Sequence, residues 1–153
     1  EESLRTPLMM RYPGVIRPGT RVNQMVVNID LAPTLLSMAV VNIPADMQGE
    51  SMVPVLKNTK AGGRKALYYH YYEYPEPHRV APHFGIRTEQ YKLIRYYGPY
   101  DAWELFDIRK DPQEMNNIIS RRSSGGVVQQ LKKELLSLAK QYKDTAVIKL
   151  LEK

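Results

Sequence analysis

The sequence predicts an α+β fold, an antiparallel sheet of about four strands with a C-terminal helix over one face, preceded by a separate strand and helix. Two patterns carry this reading. Between residues 66 and 108, aromatic and β-branched residues crowd into short runs of the kind that pleated, half-buried surfaces favour. Beyond residue 126, Val127, Leu131, Leu135, Leu138 and Tyr142 recur at spacings of three and four, which places them along one face of a helix. A chain of 153 residues is one medium domain or a piece of a larger one. It can bury about 70% of the surface it exposes when unfolded, so a core needs neither metal nor disulfide. The chain has no cysteine, which removes disulfides, thiolate metal ligands and a cysteine nucleophile.

Residues 4–11 form a short apolar run closed by Tyr12-Pro13-Gly14 and read as a buried strand ending in a turn. Arg17-Pro18-Gly19-Thr20 marks a second turn. Asp30 precedes Leu31-Ala32-Pro33, where a carboxylate caps free amides and proline is tolerated in the first turn, so a helix is expected over residues 31–39 with Asp30 as its cap. A loop with Pro44, Gly49 and Pro54 follows, carrying a short helical turn near residues 51–56. Strands are expected over residues 66–74, 84–88, 91–97 and 103–108. Glu89-Gln90 gives the second and third the spacing of a tight hairpin without its usual Asn-Gly signature. Asp111-Pro112-Gln113-Glu114 combines a cap, a proline at the first helical position and a glutamate, and predicts a helical turn. Residues 123–126 read as a linker before the last helix, whose Lys132, Lys133 and Lys140 read as a solvated face.

Lys and Arg number 22 against 16 Asp and Glu, a net charge of +6 that favours anionic partners. No apolar run approaches the roughly 20 residues that span a bilayer, so no membrane partner is expected. Glu1-Glu2-Ser3 is acidic where a secretory signal begins basic, and no initiator Met is present, so the sequence reads as a processed or excised piece of something longer.

The chain has three histidines, and none forms the i, i+4 helical pair of a metal site. His70 lies in a tyrosine-rich strand, where packing or a hydrogen bond to a neighbour is the simpler reading. His78 and His83 flank Arg79 in the proline-stiffened loop Pro75-Glu76-Pro77-His78-Arg79-Val80-Ala81-Pro82-His83, where two imidazoles and a guanidinium can converge on an anionic or hydroxyl-rich ligand. The tyrosines of residues 68–74 and 91–97 could form a stacking platform for sugars or bases, but the half-buried face of a sheet uses tyrosine for the same geometry and is the simpler reading. They lack the glycine–aromatic spacing of an RNA-recognition module, so no nucleic acid is expected. Neither GxxxxGK[ST] nor GxGxxG occurs.

Taken in order, these words of the sequence resemble the C-terminal portion of type I, formylglycine-dependent sulfatases of the alkaline phosphatase-like fold. The matching run begins with Glu1-Glu2-Ser3-Leu4-Arg5-Thr6-Pro7-Leu8 and Arg11-Tyr12-Pro13-Gly14, and continues through Asn28-Ile29-Asp30-Leu31-Ala32-Pro33-Thr34-Leu35-Leu36 and Met47-Gln48-Gly49-Glu50-Ser51. Gly85-Ile86-Arg87-Thr88, Tyr91-Lys92-Leu93-Ile94, Trp103-Glu104-Leu105-Phe106-Asp107 and Asp111-Pro112-Gln113-Glu114-Met115-Asn116-Asn117 complete it. Tyr71-Tyr72-Glu73-Tyr74-Pro75 and His78-Arg79-Val80 resemble most the N-acetylglucosamine-6-sulfatase and mucin-desulfating branch.

The resemblance implies that residues 1–60 are a strand and helix remnant of the large alkaline phosphatase-like domain and residues 61–153 the sulfatase C-terminal subdomain. It implies calcium and formylglycine in a complete enzyme, a sulfated sugar or glycan as substrate, an N-terminal sulfatase domain as partner, and an extracytoplasmic location. His78, Arg79 and His83 are the expected substrate-binding residues. No catalytic residue, metal ligand or cofactor is assigned within the chain. No serine has Pro or Ala two places on and Arg four places on, and Ser137, with Ala139 but then Gln141, comes nearest. The run 4–10 is expected to be displaced, poorly ordered or paired with a second copy through an exposed edge. The alternative is a non-catalytic polyanion- or carbohydrate-binding module, and a sheet that binds single-stranded nucleic acid is a further rival. On the first reading the isolated chain does not hydrolyse sulfate esters. An assay with a chromogenic aryl sulfate and calcium should show no turnover above the uncatalysed rate that purifies with the chain.

Overall fold

The computed structural model describes residues 3–153 and divides into two compact units, residues up to 65 and residues 66–153. In the first unit, residues 4–10 form no strand, and Leu8 and Met9 are 48% and 94% exposed. A strand exists through its ladder of hydrogen bonds, and no such partner is present among the described residues, so the apolar run stays unpaired. The expected remnant thus has its helix and lacks its strand. Both expected turns form: Ile16 N–H donates to Tyr12 O at 2.9 Å and Thr20 N–H to Arg17 O at 3.2 Å. Gly14 and Gly19 take positive φ of +83° and +74°, the region open to glycine.

A 3₁₀ turn at Asn28–Asp30 runs into α1, Leu31–Met38. Asp30 does not cap α1. Its Oδ2 accepts from Val27 N–H at 3.0 Å, closing the 3₁₀ turn, and its Oδ1 accepts from Glu50 N–H at 2.8 Å and from Arg64 at 2.7 Å. A carboxylate that is 2% exposed needs a counter-charge more than it needs a helix end. Thr34 Oγ1 donates to Asp30 O at 2.6 Å and accepts from Met52 N–H at 2.8 Å, which ties α1 to the start of α2, Val53–Lys57. Gly49 is required between them, since a Cβ there would lie 1.9 Å from Ile29 O.

The second unit is a meander of four antiparallel strands in the order β1-β2-β3-β4: Ala66–Tyr71, His83–Thr88, Tyr91–Tyr96 and Ala102–Asp107. The β2–β3 hairpin lacks Asn-Gly because Thr88 closes it. Its Oγ1 donates to Tyr91 O at 3.1 Å and accepts from Tyr91 N–H at 3.0 Å. Residues 111–114 make a turn and not a helix: Glu114 N–H donates to Asp111 O, and Glu114 takes φ of +55°, which stops helical propagation. Residues 123–126 are no linker. Arg122–Ser124 is a 3₁₀ turn that feeds directly into α3, Gly125–Gln141, and α4, Thr145–Leu151, follows it. No helix among the described residues is long and apolar enough to cross a membrane.

The core lies between one sheet face and α3. Phe84, Ile86, Leu93 and Leu105 are fully buried from the strands, Leu131, Leu135 and Ala139 are buried from the helix, and Val147 is buried from α4. Leu138, Val127 and Val128 pack at its margin. Leu135 is 0% exposed, so Leu135→Ala should cost about 2–5 kcal/mol in denaturant unfolding, whereas Lys133→Ala on the exposed side should stay within about 0.5 kcal/mol.

Candidate functional site

Alternation along the strands sends His83, Tyr69, Tyr71 and Tyr96 to the sheet face opposite α3. His83 pairs with Tyr71 on one side and Tyr96 on the other, and the rings form a row: Tyr71 to His83 at 5.3 Å, His83 to Tyr96 at 5.2 Å, and Tyr96 to Tyr100 at 5.4 Å. Tyr69 meets His83 edge-on at 5.7 Å. Gly85 makes room for it, because a Cβ there would come within 2.9 Å of the Tyr69 ring and 2.6 Å of Leu93 O. His83 Nδ1 lies 2.9 Å from Ala81 O. A carbonyl accepts only, so Nδ1 carries the proton. Burial, then the charge of Glu104, pushes the Tyr96 hydroxyl up to about 12, so it remains a donor.

The loop between β1 and β2 is exposed from Tyr72 to Val80. His78 and Arg79 lie on it, with no hydrogen bond, ion pair or ring contact to His83 or to each other among the described residues. The structure therefore places His83 on a strand and His78 and Arg79 on the loop that leads to it. The end of this loop is fixed, with Ala81 and Pro82 buried and Tyr97 N–H donating to Pro82 O at 3.0 Å.

A second polar cluster lies on the α3 side and was not legible as a cluster from the sequence. Asp144 Oδ2 accepts from Tyr68 hydroxyl at 2.6 Å and from His70 Nδ1 at 2.7 Å, while its Oδ1 caps α4 through Val147 N–H at 3.0 Å. Since a carboxylate only accepts, neutral His70 leaves Nε2 to accept from Tyr97 hydroxyl at 2.6 Å. Burial works against ionisation of Asp144, but the hydrogen bonds from Tyr68, Val147 and His70 outweigh it and hold the carboxyl below its ordinary range. Burial and the same hydrogen bond push the Tyr68 hydroxyl well above the usual tyrosine range. The only advance signal was Asp144 standing one residue before Thr145, at a cap position.

Several cations are committed to structure. Arg64 pairs with Asp30 with side chains 7% and 3% exposed, and Lys92 with Glu114 at 2.8 Å. Lys132 is not simply solvated, because its ammonium lies 4.1 Å from the Trp103 ring centroid, with the Arg95 guanidinium 5.4 Å from the same ring. Burial and then Arg95 lower the Lys132 ammonium's proton affinity. In the first unit a groove of about 540 Å³ carries Arg17, Lys57 and Lys60 in its lining. No group of three or more His, Cys, Asp or Glu residues among those described is arranged to hold a metal ion.

A family model described as N-sulphoglucosamine sulphohydrolase, C-terminal, matches residues 1–141. The chain belongs to this sulfatase family. It is 47% identical over 94% of its length to an N-acetylglucosamine-6-O-sulfatase of Bacteroides thetaiotaomicron, of which it covers 26%. It is 31% identical over 77% of its length to human arylsulfatase K, covering 23% of that protein. A solved structure of a protein in complex with its substrate D-glucosamine-2-N,6-O-disulfate superposes with a TM-score of 0.85 at 46% identity, over 88% of this chain and 28% of that one. The chain thus spans about a quarter of the length of these relatives. Its sheet and helix are those of the sulfatase C-terminal region, as the sequence resemblance implied.

The Asp144 cluster should be read in stability. Asp144→Asn withdraws a charged acceptor from two donors and should cost about 1.5–3 kcal/mol at pH 7. A carboxyl depressed in the folded state stabilises above its unfolded value of about 3.9 and loses that contribution as pH falls through its folded value. The gap between wild type and variant should therefore narrow as denaturation is repeated below about pH 4.

Proposed function

We propose that this chain is the C-terminal, substrate-side region of a sulfatase that hydrolyses the 6-O-sulfate ester of a glucosamine residue in a sulfated glycan. The observation that carries this is the match, at 46% identity and a TM-score of 0.85, to a protein solved with D-glucosamine-2-N,6-O-disulfate. The likeness to an N-acetylglucosamine-6-O-sulfatase supports the same reading. Residues 1–60 are assigned to the large domain and residues 61–153 to the C-terminal subdomain, with segment 4–10 completing a strand against the rest of the large domain. An extracytoplasmic location accompanies this assignment.

Hydrolysis of a sulfate ester requires an activated nucleophile, a cation facing the sulfate oxygens and an acid for the leaving sugar oxygen. The residues of this chain do not fit the first two: it has no cysteine, no serine in the maturation pattern and no metal-holding cluster among the described residues. Formylglycine and calcium are accordingly assigned to segments outside the chain. The chain's own part is to bind and orient the sugar. His78 and Arg79, exposed on the loop, supply charged or neutral donors to hydroxyl or sulfate oxygens, and His83 faces the sugar from the sheet.

The full-length protein tests this with 6-O-sulfated N-acetylglucosamine beside a small chromogenic aryl sulfate. His78→Ala and Arg79→Ala should each depress kcat/KM for the sugar by about ten- to a hundredfold and affect the aryl sulfate far less. Equal losses on both substrates would assign the loop a structural role, and absence of turnover of any 6-O-sulfated sugar by the wild type would overturn the reading.

A further inference from the structure

We propose that His83 reads the sugar and not the sulfate: Nε2 of its neutral imidazole accepts a hydrogen bond from an N–H or O–H group on the glucosamine ring. The inference rests on the sulfatase reading above and sharpens it to one atom. Nδ1 donates to the Ala81 carbonyl at 2.9 Å, so the neutral ring has its bare lone pair on Nε2. That nitrogen has no hydrogen-bond partner among the described residues. A sulfate group offers only oxygen acceptors, which the lone pair repels. Hydroxyl, amide N–H and sulfamate N–H groups are donors, and it attracts them.

Two further observations lie beside it. The Tyr71 hydroxyl, on the ring tilted against His83 at 5.3 Å, has no hydrogen-bond partner among the described residues and is open to one that a ligand brings. A phenol both donates and accepts, so it can complete a second bond to a sugar group already held by Nε2. On the other side the row continues through Tyr96 to Tyr100, which is 51% exposed and offers an aromatic face to the apolar C–H face of a pyranose. Strands β1, β2 and β3 hold His83, Tyr71 and Tyr96 in register, so the arrangement is preorganised and does not depend on closure of the loop.

The test uses full-length protein and a set of 6-O-sulfated substrates: the N-acetylglucosamine parent, its 3-deoxy and 4-deoxy analogues, and an analogue with a 2-O-acetyl ester in place of the amide. Each analogue lacks one donor. The wild type should lose about ten- to a hundredfold in kcat/KM on one of them. His83→Phe, which keeps a ring in the row and removes the acceptor, should show that loss already on the parent and be indifferent to that one deletion. His83→Gln, whose amide oxygen can reach the place of Nε2, should recover part of it. If His83→Phe does not fold by thermal melting, the comparison is read between His83→Gln and His83→Asn, whose shorter side chain withdraws the acceptor. Losses that multiply independently for every analogue, or an equal loss on an aryl sulfate, overturn the inference and leave the sulfatase reading intact. No turnover of any sulfated sugar by the wild type overturns both.

Discussion

Because successive side chains of a strand point to opposite faces, β2 sends Phe84 and Ile86 beneath α3 and His83 and Gly85 to the other side. The same parity places Leu93 and Leu105 in the core and Tyr96 in the aromatic row. A register slip of one residue would exchange the two sets, leaving the core with His83 and Gly85 and the row with Phe84. The fully buried side chains therefore determine more than stability. They fix which ring stands next to His83, and Thr88 fixes the register by closing the hairpin with its own hydroxyl. Helix α3 contributes because its three- and four-residue spacing offers Leu131, Leu135 and Ala139 to one face only.

Two carboxylates supplement this apolar constraint, one in each unit. Asp30 satisfies a backbone turn, the backbone of Glu50 and the guanidinium of Arg64, and Asp144 satisfies a tyrosine, a histidine and the first turn of α4. Each joins segments far apart in sequence, and each is costly to leave unpaired once buried. Removing either acceptor leaves several donors without their shared partner at once, so the value of each carboxylate lies in specifying one arrangement as much as in net energy. His70 belongs to this class. Its ring is held from both nitrogens, which fits the structural reading given to it from sequence.

The sheet was legible because its signal is local. Four runs of aromatic and β-branched residues gave four strands, three of them within one residue of the expected ends, and β1 stopped three residues early, at Tyr71, where the proline-rich loop begins. What failed depended on distant partners. The segment 4–11 had the composition of a buried strand, but composition cannot supply the neighbouring strand that makes it one. Asp30 carried a cap signature, and its true partner, Arg64, stands 34 residues away. Gly125 and Gly126 looked like a linker because glycine disfavours helix interiors, yet at the first two positions of α3 that penalty is small beside the burial of the leucines that follow. Within the candidate site, the histidines were identifiable by type and neighbourhood. That His83 lies on a strand while His78 and Arg79 stay on the loop follows from where the ladder ends, which the sequence does not mark.

The positive charge, which first pointed to an anionic partner, is a weaker guide than it looked. Arg64, Lys92 and Arg95 are largely buried against carboxylates, Lys140 pairs with Glu152 at the surface, and Lys132 leans on Trp103. A cation already matched adds little to the field that draws a polyanion, and the exposed remainder acts over a distance of about 10 Å without choosing among anions. Choice among sugars needs direction, a donor or acceptor whose partner is wrong by orders of magnitude when absent. In this chain the directional, strand-held groups are His83 and the rings beside it, and the role proposed for them above rests on that fixity and not on the exposed cations. The loop itself carries Glu73 and Glu76 against Arg79, so it adds no net positive charge, and under the assignment proposed above discrimination among sugars falls to the fixed face of the sheet.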